Sequence, residues 1–580
     1  MIKTLAGYVR EYKRSAIVTP VFMIFEVVME MIIPLLMAAI IDRGVANKDM
    51  GFILKIGLIM LVCAVAGLAA GILGGKYAAK ASTGFARNLR KGMFDRIQTF
   101  SFSNIDKFST AGLVTRLTTD VTNVQNAFQM LLRMCFRAPV SLVAAMVMAF
   151  LISPRMAMIY VVAVLVLGGI VAILMYFAAK YFRQAFPKYD ELNASVQENV
   201  SGIRVVKAYV REDFENKKFQ KASEGIYRIF VKAEGVVAWA MPVMMATIYI
   251  SMLLLSWFGG KLVISNELAT GELMSLFTYC LNILMNLMML SMIFVMLTMS
   301  EPSARRISEV LTEESTIQNP PDPIVTIPDG SIEFQNVSFS YSATSEEPVL
   351  KNINLKIRSG ETIGIIGGTG SSKTSFVNLI SRLYDVNEGA ILVGGNDVRS
   401  YELSMLRRKV AVVLQKNLLF SGTIYDNLRW GNKTATDEEC KNAAKLACAG
   451  EFIENMPDKY ETKVERGGAN LSGGQRQRLC IARALLSDPK VLILDDSTSA
   501  VDTATDAKIR KALATELSGT TKLIIAQRIS SVQNADRIIV MENGEINGVG
   551  THEELLKTNV IYRDVYESQT NGNQDFDAAS

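Results

Sequence analysis

The sequence predicts an all-α membrane domain with six transmembrane helices, fused to a water-soluble α/β domain. Three observations predict this division. The chain has 580 residues, too many for one hydrophobic core. The apolar runs long enough to cross a bilayer, which takes about 20 residues, all lie before residue 300. After residue 330, strand-like segments alternate with helical ones, which is typical of an α/β domain.

The predicted membrane spans alternate between short and long connections. The spans are 16–41, 52–75, 131–152, 156–178, 236–262 and 273–299. Lys and Arg concentrate in the N-terminal segment and in the long connections 76–130 and 179–235. Because basic loops stay on the cytoplasmic side, we expect both termini, both long connections and the α/β domain to be cytoplasmic. Both connections keep helical spacing, so they are predicted to be helices that leave the membrane and turn back near 109–112 and 202–212.

Two glutamates stand out in the first predicted span. Glu26 and Glu30 are four residues apart and therefore share one helix face. A carboxylate at the bilayer centre costs about 2.5–3.5 kcal/mol. One interpretation is a carboxylate patch facing a cavity that receives cationic substrates. The alternative is that both residues lie near an interface, or pair with a Lys or Arg of another helix.

The sixth span supplies two further candidates for substrate contact. Asn282 and Asn286 share one face, which we expect to contact protein rather than lipid. Methionines concentrated between residues 241 and 299 suit either a surface for varied lipophilic ligands or ordinary packing.

Composition excludes several other functions. A net charge of +5 is small for this length, so no nucleic-acid partner is expected. The six Cys residues are far apart and form no CxxC pair, which indicates reduced thiols rather than disulfides or a zinc site. His552 is the only histidine, and its surface-type neighbours predict a structural, solvated role.

A glycine-rich loop at 367–375 (GGTGSSKTS) follows a predicted strand and precedes a helix. Its backbone N–H groups would surround phosphates, Lys373 would reach the β- and γ-phosphates, and the Thr374 hydroxyl would bind Mg²⁺. The strict pattern has Gly in place of Ser372, and a Cβ there adds about 1 kcal/mol of strain if φ is positive. The predicted ATP contacts in this loop are Gly367, Thr369, Gly370, Ser371, Ser372, Lys373, Thr374 and Ser375.

A second glycine-rich turn, 471–475 (LSGGQ), begins a basic helix. Free N–H groups at a helix start favour phosphate. An apolar strand at 491–494 then ends on Asp495 and Asp496, and acidic residues at the end of a buried strand suit Mg²⁺ beside a nucleotide. Either feature alone could arise by chance, but the two in this order are a highly specific combination.

These motifs resemble the signature sequence and the Walker B strand of ATP-binding-cassette (ABC) ATPases. With six spans ahead of them, nearly the whole chain resembles a half-transporter of the bacterial multidrug ABC exporter type. The resemblance implies ATP and Mg²⁺ as cofactors and a multi-pass position in the lipid of a bacterial cytoplasmic membrane. It also implies export of small lipophilic molecules, including cationic ones, and short coupling helices at the two cytoplasmic turns.

The resemblance assigns further roles. It implies that Tyr341 stacks on adenine, that Gln415 contacts Mg²⁺ and the attacking water, and that Asp495 binds Mg²⁺ together with Thr374. Residues 499–502 resemble the D-loop, and 521–528 resemble the strand that ends at the switch residue.

The sequence departs from the family at two catalytic positions. Asp496 stands where the family has a catalytic glutamate, and Gln527 stands where it has the switch histidine. Asp is one methylene shorter than Glu, and misplacing a reacting group by about 1 Å can cost on the order of 10²-fold in rate. Gln donates a hydrogen bond but carries no proton at neutral pH. We therefore predict that this chain's own site, with Gln415, binds ATP but hydrolyses it weakly.

The signature turn is intact, at Ser472, Gly473, Gly474 and Gln475. In ABC proteins two ATPase domains pack head to tail, so each signature completes the partner's ATP site. A chain with a catalytically weak ATP site and an intact signature turn implies a non-identical partner half-transporter, which brings the missing Glu and His. The chain thus resembles the degenerate-site subunit of a heterodimeric exporter.

Other functions stay open, namely a regulatory membrane protein that binds ATP as a sensor or gate, and a subunit that exports lipid or peptide. A self-sufficient homodimer is disfavoured by the changes at Asp496 and Gln527. The predicted boundaries are a membrane domain at 1–315, a proline-rich linker at 316–330, an ATPase domain at 331–567 and a disordered tail at 568–580.

Overall fold

The structure is a computed structural model that describes residues 1–341, 347–497 and 499–577. The chain divides into two units, one formed by residues 1–98 and 111–313 and the other by residues 99–110 and those from 314 onward. The sequence predicted one uninterrupted membrane domain, 1–315. The short segment 99–110 instead belongs to the second unit.

Helices form most of the chain up to residue 312. They are α1 (Ile2–Ala6), α2 (Lys13–Ala39), α3 (Met50–Ile97), α4 (Phe102–Phe108), α5 (Thr110–Thr115), α6 (Val121–Ile152), α7 (Pro154–Ser201), α8 (Ile203–Ala208), α9 (Glu212–Ala238), α10 (Ala240–Ile264) and α11 (Thr270–Thr312). Among the described residues, six helical stretches are long and apolar enough to cross a membrane, and they contain the six predicted spans. Helix α4 lies in the second unit.

The two longest helices begin at good N-caps. The Asp49 carboxylate accepts the Phe52 N–H at 3.0 Å before α3, and Ser153 precedes Pro154 at the start of α7. Each of these helices has 48 residues. At 1.5 Å per residue each spans about 72 Å, more than twice the bilayer core of about 30 Å. They therefore extend well beyond one membrane crossing.

Buried hydroxyl groups join the membrane helices through main-chain carbonyls. The Tyr160 hydroxyl on α7 donates to Leu276 O at 2.8 Å, and the Tyr279 hydroxyl on α11 donates to Met31 O at 2.7 Å. Both rings are almost completely buried. A buried hydroxyl without a partner would be costly, so these bonds favour one arrangement of α2, α7 and α11.

Strands and helices alternate in the second unit. The strands are β1 (Ile332–Phe339), β2 (Leu350–Ile357), β3 (Thr362–Gly367), β4 (Glu388–Val393), β5 (Asn396–Asp397), β6 (Val410–Val413), β7 (Gly422–Thr423), β8 (Lys463–Val464), β9 (Val491–Asp495), β10 (Thr521–Ile525), β11 (Arg537–Glu542) and β12 (Glu545–Gly550). The helices are α12 (Lys373–Ile380), α13 (Leu403–Lys409), α14 (Ile424–Leu428), α15 (Asp437–Leu446), α16 (Gly450–Glu454), α17 (Gly473–Leu485), α18 (Thr503–Glu516), α19 (His552–Thr558) and α20 (Val560–Asp577).

The main sheet of this unit has strand order β12-β11-β3-β10-β9-β6, and only β12 is antiparallel to its neighbour. Its central strands are apolar and buried, as expected for a parallel sheet covered on both faces. A smaller antiparallel sheet has the order β2-β1-β4-β5, and β7 pairs with β8.

The C-terminal helix α20 differs from the sequence prediction, which placed a disordered tail at 568–580. Residues 568–577 continue α20, and 578–580 lie outside the described residues. The polar composition misled because the helix is anchored further upstream. Tyr562 is completely buried, and its hydroxyl lies 2.7 Å from His552 Nδ1. His552 therefore makes a structural contact, and it is partly buried where its neighbours predict a solvated side chain.

Candidate nucleotide site

Three neighbouring parallel strands bring the candidate residues to one edge of the main sheet. Ile525 of β10 pairs with Ile365 of β3 on one side and with Asp495 of β9 on the other. The loops after these strands begin side by side because the carboxyl ends of parallel strands meet at the same edge. They carry the phosphate loop, the Asp495–Asp496 pair and Gln527.

Lys373 is held inside the phosphate loop. Its Nζ donates to Gly367 O at 2.9 Å, to Gly368 O at 2.7 Å and to Ser371 Oγ at 3.1 Å. Burial lowers the pKa of Lys373, and the nearby carboxylates Asp495 and Asp496 raise it. The ammonium group is thus placed where a phosphate chain would lie along the loop.

Backbone conformation in the loop agrees with the expected strain. Ser372 has φ 71° and ψ 20°, the left-handed region that glycine adopts freely. Gly370 also has positive φ, at 86°. A Cβ on Gly367 would lie 2.3 Å from Met541 O, so that position excludes larger residues. The Ser372 conformation costs about 1 kcal/mol and leaves Lys373 in place.

The two predicted Mg²⁺ ligands lie next to each other. The Thr374 hydroxyl donates to Asp495 Oδ2 at 2.9 Å, and Asp495 is almost completely buried. Burial raises the pKa of Asp495, and the bond from Thr374 lowers it. A hydroxyl and a carboxylate oxygen are the ligands that Mg²⁺ prefers, so these residues fit that ion.

Asp496 and Gln527 are in direct contact. Gln527 Nε2 donates to Asp496 Oδ2 at 2.9 Å. Burial raises the pKa of Asp496, and hydrogen bonds from Gln415 and Gln527 lower it. The structure therefore brings together all three residues predicted to form the weak catalytic centre. Burial is the larger effect, so the pKa of Asp496 is raised overall, and the two side-chain amides offset only part of that rise.

Tyr341 lies beside the phosphate loop. Its hydroxyl is 2.8 Å from Ser375 Oγ, and its ring is about half exposed, which leaves a face for a stacked base. The ring also makes an edge contact with Tyr384 at 5.0 Å between centroids. The Tyr384 hydroxyl donates to Asp106 of α4 at 2.7 Å. Sequence reasoning missed Tyr384, because nothing local connects residue 384 with residue 106.

The signature turn forms the start of α17. Ser472 is exposed and caps the helix, with Ser472 N–H donating to Gln475 Oε1 at 2.9 Å and Gln475 N–H donating to Ser472 Oγ at 3.3 Å. A Cβ on Gly474 would lie 2.9 Å from Ala500 O, whereas a Cβ on Gly473 would lie 3.3 Å from Ala500 Cβ. The signature turn thus packs against residues 499–502.

Gln477 strengthens this packing. Its side chain accepts the Ala500 N–H at 3.0 Å and donates to Ser499 Oγ at 3.3 Å. Ser499 Oγ in turn donates to Asp496 O at 3.0 Å. Sequence reasoning also missed Gln477, although a polar residue on the buried face of a basic helix is a usable signal.

In the membrane unit, Glu26 and Glu30 both pair with an arginine of α6. Arg137 Nη2 lies 2.9 Å from Glu30 and 3.6 Å from Glu26. A Cβ on Gly71 of α3 would lie 3.2 Å from the Glu26 carboxyl carbon, so this glycine makes room for the cluster. The structure thus has the pairing that the alternative interpretation describes. Two carboxylates against Arg137 leave this group of three with one net negative charge.

Asn286 is buried and faces protein, as expected for the sixth span. Its Nδ2 donates to Ser141 Oγ on α6 at 2.9 Å and to Asn282 O at 2.7 Å. Asn282 is partly buried one turn earlier on α11.

Comparisons with known proteins agree with this architecture. A family model described as "ABC transporter transmembrane region" matches residues 16–299, and one described as "ABC transporter" matches residues 350–499. The predicted fold class, six membrane helices fused to an ABC ATPase domain, is confirmed.

Full-length relatives extend these matches. The chain is 37% identical over 566 residues to the ABC transporter ATP-binding protein YfiB of Bacillus subtilis, covering 97% of this chain and 98% of that protein. It is 33% identical over 538 residues to the ATP-dependent lipid A-core flippase of Desulfotalea psychrophila, covering 91% and 92%. It is 29% identical over 569 residues to the B. subtilis protein YfiC, covering 98% and 94%.

Proposed function

The chain belongs to the ABC transporter family, and from that premise we propose that it is one subunit of a heterodimeric, ATP-driven exporter. Membership makes it a multi-pass membrane protein and an exporter subunit with an ATPase domain. The partner is a second, non-identical half-transporter. The observation that carries the proposal is the Asp496–Gln527 contact at 2.9 Å, in place of a catalytic glutamate and a histidine.

This chain's own site is suited to hold Mg²⁺ and ATP with little turnover. Lys373 lies inside the phosphate loop and Thr374 bonds Asp495, which supports roles for these residues toward phosphate and Mg²⁺. Asp496 is one methylene short and is held by amide donors, so a water molecule would meet a poorly placed base. Gln527 can bond the γ-phosphate but cannot move a proton.

The signature turn is suited to complete the partner's site. Ser472 is exposed at the start of α17, where the helix N–H groups favour phosphate. In the head-to-tail arrangement of the family, residues 472–475 face the partner's ATP, with Ser472 and Gln475 already ordered by their mutual hydrogen bonds. The partner brings the catalytic Glu and the switch His.

Exposed apolar residues on α8 and after it support engagement of a second chain. Val205, Tyr209 and Val210 are 60%, 74% and 81% exposed at the tip of the second long connection. Large apolar side chains at such a tip favour burial against a partner. We place this tip, both termini and the ATPase domain in the bacterial cytoplasm. There, ATP-driven closure of the two ATPase domains would move the membrane helices.

The proposed cargo is a class of small lipophilic molecules, including cations, that are taken from the membrane. Glu26, Glu30 and Arg137 together keep one excess negative charge, which favours a cation. A second candidate cargo is a lipid, because a relative 33% identical to this chain is a lipid A-core flippase.

Replacing Glu26 and Glu30 by Gln is expected to slow export of a cationic dye about tenfold. The change turns this group of three from one net negative to one net positive charge. At about 6 Å through water, each unit of charge contributes about 0.7 kcal/mol, so a change of two units corresponds to roughly tenfold. ATP-driven dye uptake is measured in inverted vesicles, and a fluorescent phospholipid in the same vesicles reports on the lipid alternative. Adding Arg137→Gln to the double variant makes the group of three neutral and should recover part of the dye export rate. Unchanged dye export by the double variant would exclude the carboxylate patch.

ATP hydrolysis tests the two-chain proposal. The purified chain is assayed alone and with its genomic-neighbour half-transporter, which is used as wild type and with its candidate catalytic Glu changed to Gln. We expect low turnover alone, high turnover together and loss of turnover with the neighbour's variant.

Two results would contradict the proposal. Equal turnover by the chain alone would mean that Asp496 suffices and that no heterodimer is needed. ATP binding without hydrolysis or dye transport, even with the neighbour present, would favour the regulatory alternative of a sensor or gate.

A further inference from the structure

The loop that carries Gln527 is contacted by the C-terminal helix. Gln569 of α20 donates from Nε2 to Gln527 O at 2.8 Å and accepts the Ile529 N–H at Oε1 at 2.9 Å. One side-chain amide therefore bonds the main chain on both sides of Arg528. Such a two-point contact fixes the direction of the loop more strongly than one bond would.

Helix α20 is itself anchored firmly enough to act as a support. Tyr562 is completely buried, its N–H donates to Asn559 Oδ1 at 2.9 Å, and its hydroxyl meets His552. Ile561 and Val565 pack against the same apolar cluster as Ile529. Gln569 thus extends from a packed helix segment to the loop.

The other side of the loop has its own contacts. Arg510 of α18 donates to Ser530 O at 2.9 Å, and Ser531 Oγ donates to Asp506 Oδ2 at 3.1 Å. These bonds hold residues 530 and 531, downstream of Gln527. Unlike these bonds from α18, the bond from Gln569 reaches the main chain of residue 527 itself.

We propose that Gln569 is a positioning residue that holds Gln527 in reach of Asp496 and of the γ-phosphate, so that docking of α20 controls how long this chain's site retains ATP. The inference rests on the proposed role of Gln527 as the switch residue. The chain of contacts runs from α20 through the Gln527 main chain to its side chain, which donates to Asp496 at 2.9 Å. Without the hydrogen bonds from Gln569, the loop at 526–529 becomes more mobile, and the Gln527 side-chain amide is no longer held in the site.

The first test measures the loop directly, without using activity. Hydrogen–deuterium exchange of the full-length chain is followed at the Ile529 amide, in the Gln569→Ala variant and in the Ser568→Ala control. Ser568 is exposed and adjacent, and Ala is a good helix former at either position, so both variants should fold. Because the amide loses its acceptor, Gln569→Ala should speed its exchange on the order of tenfold, and Ser568→Ala should not. Unchanged exchange in Gln569→Ala would overturn the proposal.

The second test measures retention of a ribose-labelled fluorescent ATP with Mg²⁺ in the full-length chain. Gln569→Ala and Gln527→Ala should each speed its dissociation by about tenfold, and the double variant should be no faster than either, because both remove one interaction. An effect of Gln527→Ala without one of Gln569→Ala would overturn this inference and leave the proposed function standing. No effect of Gln527→Ala would remove the switch role on which both rest.

Discussion

Replacing Asp496 by Glu together with Gln527 by His is expected to raise ATP turnover by the chain alone on the order of 10²-fold. The longer side chain brings a carboxylate about one methylene closer to the attacking water, and histidine supplies a group that can carry a proton near neutral pH. Lys373 already lies inside the phosphate loop and Thr374 already bonds Asp495, so the double change leaves the proposed ATP and Mg²⁺ contacts as they are. Turnover is measured as phosphate release at saturating MgATP.

The backbone at residue 496 provides a matched control for this change. Asp496 has φ 47°, and so does Asp488, which is exposed on a loop before β9. Asp adopts this left-handed conformation more readily than Glu, so Asp488→Glu carries a similar backbone cost without touching the ATP site. A gain confined to the Asp496 and Gln527 variant supports the weak-site proposal. No gain would mean that these two residues do not limit hydrolysis.

Replacing Ser472 by Ala is expected to lower ATP turnover of the heterodimer by about 10²-fold, although this chain's own site is untouched. The Ser472 hydroxyl is lost as a phosphate donor at the partner's site, and removal of one preorganised donor costs about 10²–10³ in rate. By contrast, Asp496→Asn in this chain should leave heterodimer turnover nearly unchanged. The pair of results separates a site completed in trans from one completed within the chain.

Loss of the helix cap must be separated from loss of the phosphate contact. Ser472 caps α17 and Thr436 caps α15, each in a reciprocal arrangement with the residue three positions later. Either change to Ala costs about 1 kcal/mol of stability. Thr436→Ala therefore serves as the control in the same ATPase assay. If both variants lower turnover equally, the effect is one of stability and the trans-site proposal fails.

Much of the nucleotide site is visible in the sequence because each motif is local. The phosphate loop occupies consecutive residues between β3 and α12, and the signature turn occupies the start of α17. The side-by-side placement of Asp496 and Gln527 could be expected as well, since parallel strands end at one edge of a sheet. The sequence predicts strain at Ser372 if its φ is positive, and the observed φ of 71° meets that condition.

Contacts between distant residues are not visible in this way. Arg137 lies more than a hundred residues from Glu30, and no spacing rule indicates that α2 and α6 place them 2.9 Å apart. Tyr384 and Asp106 are 278 residues apart in sequence, and they meet within the second unit. The polar composition from residue 568 predicts disorder, yet residues 568–577 continue a helix that is anchored upstream by Tyr562.

Hydrophobic patterns and glycine-rich loops in the sequence are thus enough to predict six membrane spans, an α/β ATPase domain and its candidate phosphate and metal residues. Each of these features depends on residues that are close together in the chain. Tertiary structure alone decided that Glu26 and Glu30 share an arginine, that two amides hold Asp496, and that α20 reaches the loop of Gln527. Each of these depends on how separate helices and strands pack. Packing depends on many weak contacts between residues that are far apart in sequence, so it cannot be predicted from any short stretch of the chain.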